Sequence, residues 1–99
     1  MRRDDAIRLI QAHEDELRTM GVKSLSLFGS TARDEATDAS DVDLLIEIEP
    51  ERHLGLFEFV GIQERIEKIL GVHKVDLVMP DCVYEELKED IFGEAIRIA

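Results

Sequence analysis

From about Asp4 to Met20 the apolar residues Ala6, Ile7, Ile10, Leu17 and Met20 recur at helical spacing, and Gly21 supplies a stop. The period then changes. Val22 to Phe28 alternates in the manner of a half-buried strand, and Gly29-Ser30 breaks it. Thr31 to Ser40 is polar and rich in Ala, Asp and Thr, which predicts a short helical turn followed by a loop. Asp41 to Glu49 is the clearest strand in the chain. Val42, Leu44, Ile46 and Ile48 take one face, while Asp41, Asp43, Leu45, Glu47 and Glu49 take the other. Pro50 ends it. Phe59, Ile62, Ile66, Ile69 and Leu70 mark a helix over Leu56 to Leu70, closed by Gly71. His73 to Met79 reads as a third strand around Val75, Leu77 and Val78. Pro80 and a candidate N-cap, Asp81, introduce a short helix to about Phe92, and Glu94 to Ala99 adds a final short strand.

The order is helix, strand, strand, helix, strand, helix. The first two strands are joined by a loop too short for a crossover with its own packed helix, so an antiparallel pair is expected there. An α+β domain follows, with a small mixed β-sheet and helices packed on it.

Composition narrows the class. At 99 residues the chain has room for one domain, spanning residues 1–99. Twenty-three acids against 12 bases give a net charge of −11, which disfavours direct binding to a nucleic-acid backbone and docking on anionic membranes. An acidic chain still binds a nucleotide if a cation bridges the two. Cys82 is the one cysteine, which excludes an internal disulfide and a Cys-rich zinc site and fits a reducing compartment. No signal peptide and no membrane-spanning run is read, so the expected location is the cytoplasm. His13 reads as a helix residue, because neither His53 nor His73 stands at a metal-pair spacing from it.

Three features carry candidate chemistry. Gly29-Ser30 follows a strand directly; glycine admits close approach of a ligand, although such turns are also routine strand exits. Asp41 and Asp43, two residues apart on a strand, project from the same face with Cα atoms roughly 6.6 Å apart. Their oxygens can converge on a hard cation, whereas Glu47 and Glu49 on that face fit a merely solvated surface. Asp is also among the poorest strand formers, so two of them opening an apolar strand invite an explanation. Asp76 is embedded in Lys74-Val75-Asp76-Leu77-Val78, and an acid inside an apolar strand is costly unless something satisfies it. If the strands are neighbours, Asp76 faces Asp41 and Asp43. Two carboxylates 4 Å apart repel by about 4 kcal/mol at an effective dielectric near 20. Mg²⁺ removes that repulsion and brings phosphate oxygens with it.

Leu27-Phe28-Gly29-Ser30-Thr31-Ala32-Arg33, then ten residues between Ser30 and Asp41-Val42-Asp43-Leu44-Leu45, resembles the Gly-Ser-x10-Asp-x-Asp motif of DNA polymerase β-like nucleotidyltransferases. The short length, Ser40 before Asp41, the Leu54-Gly55-Leu56-Phe57 stretch and Lys74-Val75-Asp76-Leu77-Val78 narrow the resemblance to minimal nucleotidyltransferases of the antitoxin type, the partners of small helical HEPN ribonuclease toxins. The resemblance covers nearly the whole chain. It implies that Gly29 and Ser30 hold the β- and γ-phosphates of a nucleoside triphosphate, and that Asp41 and Asp43 ligate Mg²⁺. Asp76 matches the third carboxylate, which helps bind the catalytic metal and acts as general base. Arg33 matches a basic residue that touches phosphate, with a salt bridge to a nearby acid as an equal alternative. Asp34 departs from the family, where glycine is common; its added charge near the phosphates weighs against full activity.

The resemblance therefore implies a Mg²⁺-dependent nucleotidyltransferase that moves AMP from ATP to a hydroxyl, a tyrosine of the cognate HEPN toxin, and acts as an antitoxin in a hetero-oligomer with it. Two other readings compete. The domain could neutralise its partner by binding alone with an idle nucleotide site, or it could modify a small molecule such as an aminoglycoside. Relatives of the last kind carry an additional helical domain that this length does not accommodate.

Overall fold

The computed structural model of the chain describes residues 2–33, 41–51, 55–80, 93 and 95–98. Among these, the elements run α1 (Arg3–Ala12), α2 (Glu14–Thr19), β1 (Val22–Phe28), α3 (Gly29–Ala32), β2 (Val42–Ile48), α4 (Leu56–Leu70), β3 (Val75–Val78) and β4 (Ile96–Arg97). The expectations about Asp34, Ser40, His53, Leu54 and Cys82, and about a helix from Asp81 to Phe92, lie outside the described residues.

The four strands form one mixed sheet in the order β3-β2-β1-β4. β1 and β2 pair antiparallel, as the short connection predicts. β2 and β3 pair parallel, with α4 as the crossover, and β4 joins the free side of β1 antiparallel. Register sorts the side chains. Leu25 stands opposite Ile46 and Leu27 opposite Leu44, while across the parallel pair Val42 meets Val75 and Leu44 meets Leu77. These residues share one face, and the core forms where Ala6, Ile10, Leu17, Ile62, Ile66, Ile69 and Leu70 of the helices cover it. Burying each of the large aliphatic side chains stabilises the fold by roughly 1.5–3 kcal/mol. Strand alternation puts Ser26, Phe28, Asp43 and Asp76 on the opposite face.

The first helix departs from the expectation of one continuous segment over Asp4 to Met20. It breaks at His13, whose φ of −116° and ψ of 19° leave the helical region. The His13 Nδ1 lies 2.9 Å from the Leu9 carbonyl and its backbone N–H donates to Ile10 rather than to Leu9. With the Leu9 carbonyl engaged by the ring, the chain tightens into a turn. A new helix then starts with Glu14, Asp15 and Glu16, three acids suited to the positive end of a helix. Arg65 of α4 reaches back to both Glu16 carboxylate oxygens and ties this second helix to the crossover helix.

α4 meets its expected limits. Gly71 adopts a left-handed φ of 69° and donates its N–H to the Glu67 carbonyl at 2.8 Å, which stops the helix. The third strand is shorter than His73 to Met79 and the short helical turn begins earlier than Thr31, at Gly29.

Candidate active site

Among the described residues β3 is an edge strand, and α4 pins it just before Asp76. The Val75 N–H donates to Glu67 Oε2 at 3.0 Å, and the Val75 carbonyl accepts from Gln63 Nε2 at 2.8 Å. Both outward-facing backbone groups of Val75 are thereby satisfied by side chains of one helix. The neighbouring Lys74 carbonyl accepts from the Val42 N–H on the β2 side at 3.4 Å. Asp76 consequently sits at a fixed register, directly opposite Asp43.

The two carboxyl groups meet. They lie on adjacent strands whose backbones are about 4.8 Å apart, on the face away from the core. Asp43 is half-buried, and its carboxyl is pushed up to about 6. Burial is the largest cause, followed by the charge of Asp76, a hydrogen bond with Asp76 and the charge of Asp41; the Arg33 guanidinium pulls the other way. Asp41, exposed at the start of β2, belongs to the same field of charge.

Gly29 closes the other side. Phe28 pairs with Asp43 across β1 and β2, so the next residue passes directly over that carboxyl. Gly29 holds a φ of 74°, and a Cβ placed there would overlap Asp43 Oδ2. Glycine is needed for the turn and for the close approach alike. Ser30 follows, half-buried. Thr31 is buried, with an Oγ1 that has no hydrogen-bond partner among the described residues. Arg33 ends the turn, its N–H donating to the Gly29 carbonyl at 3.2 Å. The structure thus sets Gly29 against Asp43 and Asp43 opposite Asp76, with Asp41 and Arg33 in the same field of charge and Ser30 next along the turn.

One participant escaped the sequence reading. Lys74 Nζ lies 3.6 Å from Asp41 Oδ2 and 3.6 Å from Asp76 Oδ1. The available signal was its place two residues before Asp76, hence on the same strand face.

Among the described residues no three His, Cys, Asp or Glu side chains form a ready-made cation cage. Asp41 is turned to Lys74, and Asp43 to Asp76. The donor set nevertheless suits a hard divalent cation. It is all carboxylate oxygen, it is mutually repelling, and it has already drawn an ammonium between two of its members.

A Gly-Ser turn thus lies over carboxylates paired between neighbouring strands. A family model described as a nucleotidyltransferase domain matches residues 10–98. The chain belongs to that family. It is 34% identical to protein adenylyltransferase MntA of Thermococcus cleftensis over 91 residues, covering 91% of this chain and 89% of that protein. It is 37% identical over 75 residues to a candidate protein adenylyltransferase of Methanocaldococcus jannaschii, covering 71% of this chain and 74% of the relative. A solved structure described as a candidate minimal nucleotidyltransferase superposes with a TM-score of 0.79 at 31% identity, over 97% of this chain and 95% of that one. A candidate nucleotidyltransferase from Sulfolobus solfataricus, 18% identical with a TM-score of 0.54, shares the fold. The α+β mixed-sheet fold and the transferase class expected from the sequence are both met.

Proposed function

We propose that this nucleotidyltransferase moves AMP from ATP to a hydroxyl of a partner protein, a tyrosine of a HEPN-type ribonuclease toxin, and thereby acts as its antitoxin. The observation that carries the reading is the Asp43–Asp76 pair facing the Gly29-Ser30 turn. Two carboxyl groups held together at the cost of a raised Asp43 pKa are a poor way to build a sheet and a good way to bind a cation with its phosphates.

In this reading Gly29 and Ser30 bind the β- and γ-phosphates. The missing side chain at position 29 lets the turn lie directly against the Asp43 carboxylate, and the Ser30 hydroxyl donates to the phosphates. Arg33 adds positive charge on the same side. Asp41, Asp43 and Asp76 would hold Mg²⁺, which when bound offsets phosphate charge and makes the α-phosphorus a better electrophile. Asp76 also accepts the proton of the acceptor hydroxyl. The hydroxyl oxygen forms a bond to the α-phosphorus, the bond to the β-phosphate bridging oxygen breaks, and pyrophosphate leaves. Positioning and charge neutralisation supply most of the rate.

A protein acceptor is supported by the protein adenylyltransferase names of the relatives. It also accords with two large apolar side chains left in solvent at the start of α4, Leu56 at 76% and Phe57 at 90% exposure. A net charge of −11 complements a basic, RNA-cleaving partner and favours fast association with it.

The test uses the chain purified with the protein it captures from its own cells, together with Mg²⁺ and α-labelled ATP. Label should pass to the captured protein in steps of one AMP and be lost with the Asp41→Asn/Asp43→Asn double variant. A stable complex that takes no label from ATP, nor from α-labelled GTP, CTP or UTP, would replace this reading with neutralisation by binding alone.

A further inference from the structure

Lys74 is placed by backbone and charge together. Its carbonyl is tied to the Val42 N–H, which sets the residue beside Asp41, and strand alternation puts its side chain on the face of Asp76. Its ammonium lies 3.6 Å from an oxygen of each carboxylate. That distance is beyond a hydrogen bond, so the group is held by charge and not by directed bonds. Its side chain is 59% exposed on a flexible stem, free to swing into solvent. The ammonium therefore stands between the same two carboxylates that a divalent cation would need, and it is easily displaced. Among the described residues, Asp43 and Arg33 are the other charged groups that face this cluster.

We infer that Lys74 is a tethered counter-ion which competes with the divalent cation for Asp41 and Asp76, so that the cation binds weakly alone and loads together with the nucleotide. This rests on the proposed cation site. Without nucleotide, an incoming cation gains the carboxylates only by expelling the ammonium into water. With nucleotide, the phosphates bring further oxygen ligands for the cation and offer the displaced ammonium a new partner. The device keeps the metal-free carboxylates compensated and discourages occupancy by a cation that arrives without substrate.

The experiment titrates Mn²⁺, followed by electron paramagnetic resonance of the free ion, into the wild type, Lys74→Gln and Lys23→Gln. Each is measured with and without α,β-methylene-ATP, which cannot transfer AMP. Lys23 is an exposed residue at the far end of β1 from Phe28, about 17 Å along the strand, and controls for loss of one positive charge. Without nucleotide, Lys74→Gln should bind Mn²⁺ about tenfold more tightly than wild type, the scale of one unit charge at this distance in a wet site. Lys23→Gln should stay within about twofold of wild type, beyond the reach of screened charge. The nucleotide analogue should tighten Mn²⁺ binding more in the wild type than in Lys74→Gln. Equal affinity of wild type and Lys74→Gln, or an equal gain in Lys23→Gln, overturns the competition while leaving the cation site standing. Absence of Mn²⁺ binding in every variant, even with the analogue, overturns the cation site itself and this inference with it.

Discussion

Gly29 lies against the carboxylate of Asp43 in the space that a side chain at position 29 would fill. Substitution by alanine therefore meets two penalties: a left-handed φ of 74° and an overlap with Oδ2. The first costs more than roughly 0.4–1 kcal/mol, the gain that alanine gives where the backbone tolerates it. The second pushes Asp43 out of line with Asp76. Gly29→Ala should lower the melting temperature by several degrees, since about 1 kcal/mol moves a domain of this size by roughly 4–8 °C. It should also weaken ATP·Mg²⁺ binding by calorimetry. Unchanged affinity would mean that phosphates do not approach over this glycine.

Ser30 separates binding from folding. It is half-buried at the second position of α3, and the proposed role is one hydrogen bond to a phosphate. A hydrogen bond to a charged group contributes roughly 1.5–3 kcal/mol, so Ser30→Ala should weaken ATP·Mg²⁺ about 10- to 100-fold. Thermal unfolding of the nucleotide-free protein should hardly change. A variant that melts lower but binds ATP normally would assign Ser30 to the fold.

Much of this site was legible because strand alternation is a strict rule. Asp41, Asp43 and Asp76 stand out as acids set among Val, Ile and Leu neighbours on strands, and Gly29-Ser30 stands at a strand end. What alternation cannot supply is which residue of one strand faces which residue of the next. The opposition of Asp43 to Asp76 depends on the parallel register of β2 and β3, an edge that α4 braces through Gln63 and Glu67 from 12 and 8 residues away in sequence. Lys74 was hidden for the same reason, since its bridge to Asp41 crosses between strands. The break at His13 was hidden differently. A side-chain bond to the Leu9 carbonyl leaves the apolar period intact while ending the helix.

The raised pKa of Asp43 makes stability depend on pH in a definite direction. Its carboxyl titrates near 3.8 when free and near 6 in the fold, so the folded state binds the proton more tightly. The favourable contribution is present below the free value and is lost as pH rises through about 6. Above that the charged carboxyl is a constant burden. Because Asp43 is only half-buried, a rise of that size is worth about 1 kcal/mol after solvent screening. Without divalent cation, Asp43→Asn should melt higher than wild type at pH 7, and the gap should close as pH falls toward 4. A gap that persists at pH 4 would place the strain elsewhere.

The clamp on Val75 makes the position of Asp76 depend on a residue that never reaches the carboxylates. Glu67→Ala leaves the Val75 N–H of a half-covered edge strand without its acceptor, and such an unmet donor costs about 1–3 kcal/mol. Gln63→Ala removes the matching donor to the Val75 carbonyl, whose second lone pair and access to water make the loss smaller. We therefore expect Glu67→Ala to melt lower than Gln63→Ala, and amide exchange at Val75 to quicken in Glu67→Ala before it does elsewhere in the sheet. If edge register also sets the Asp43–Asp76 pair, carboxyl NMR should find the Asp43 pKa returning toward its ordinary range in Glu67→Ala. That outcome separates positioning from plain stability, because a uniformly loosened fold would speed exchange in β1 and β2 as well. An Asp43 pKa unmoved by loss of the clamp would show that β3 keeps its register through β2 alone.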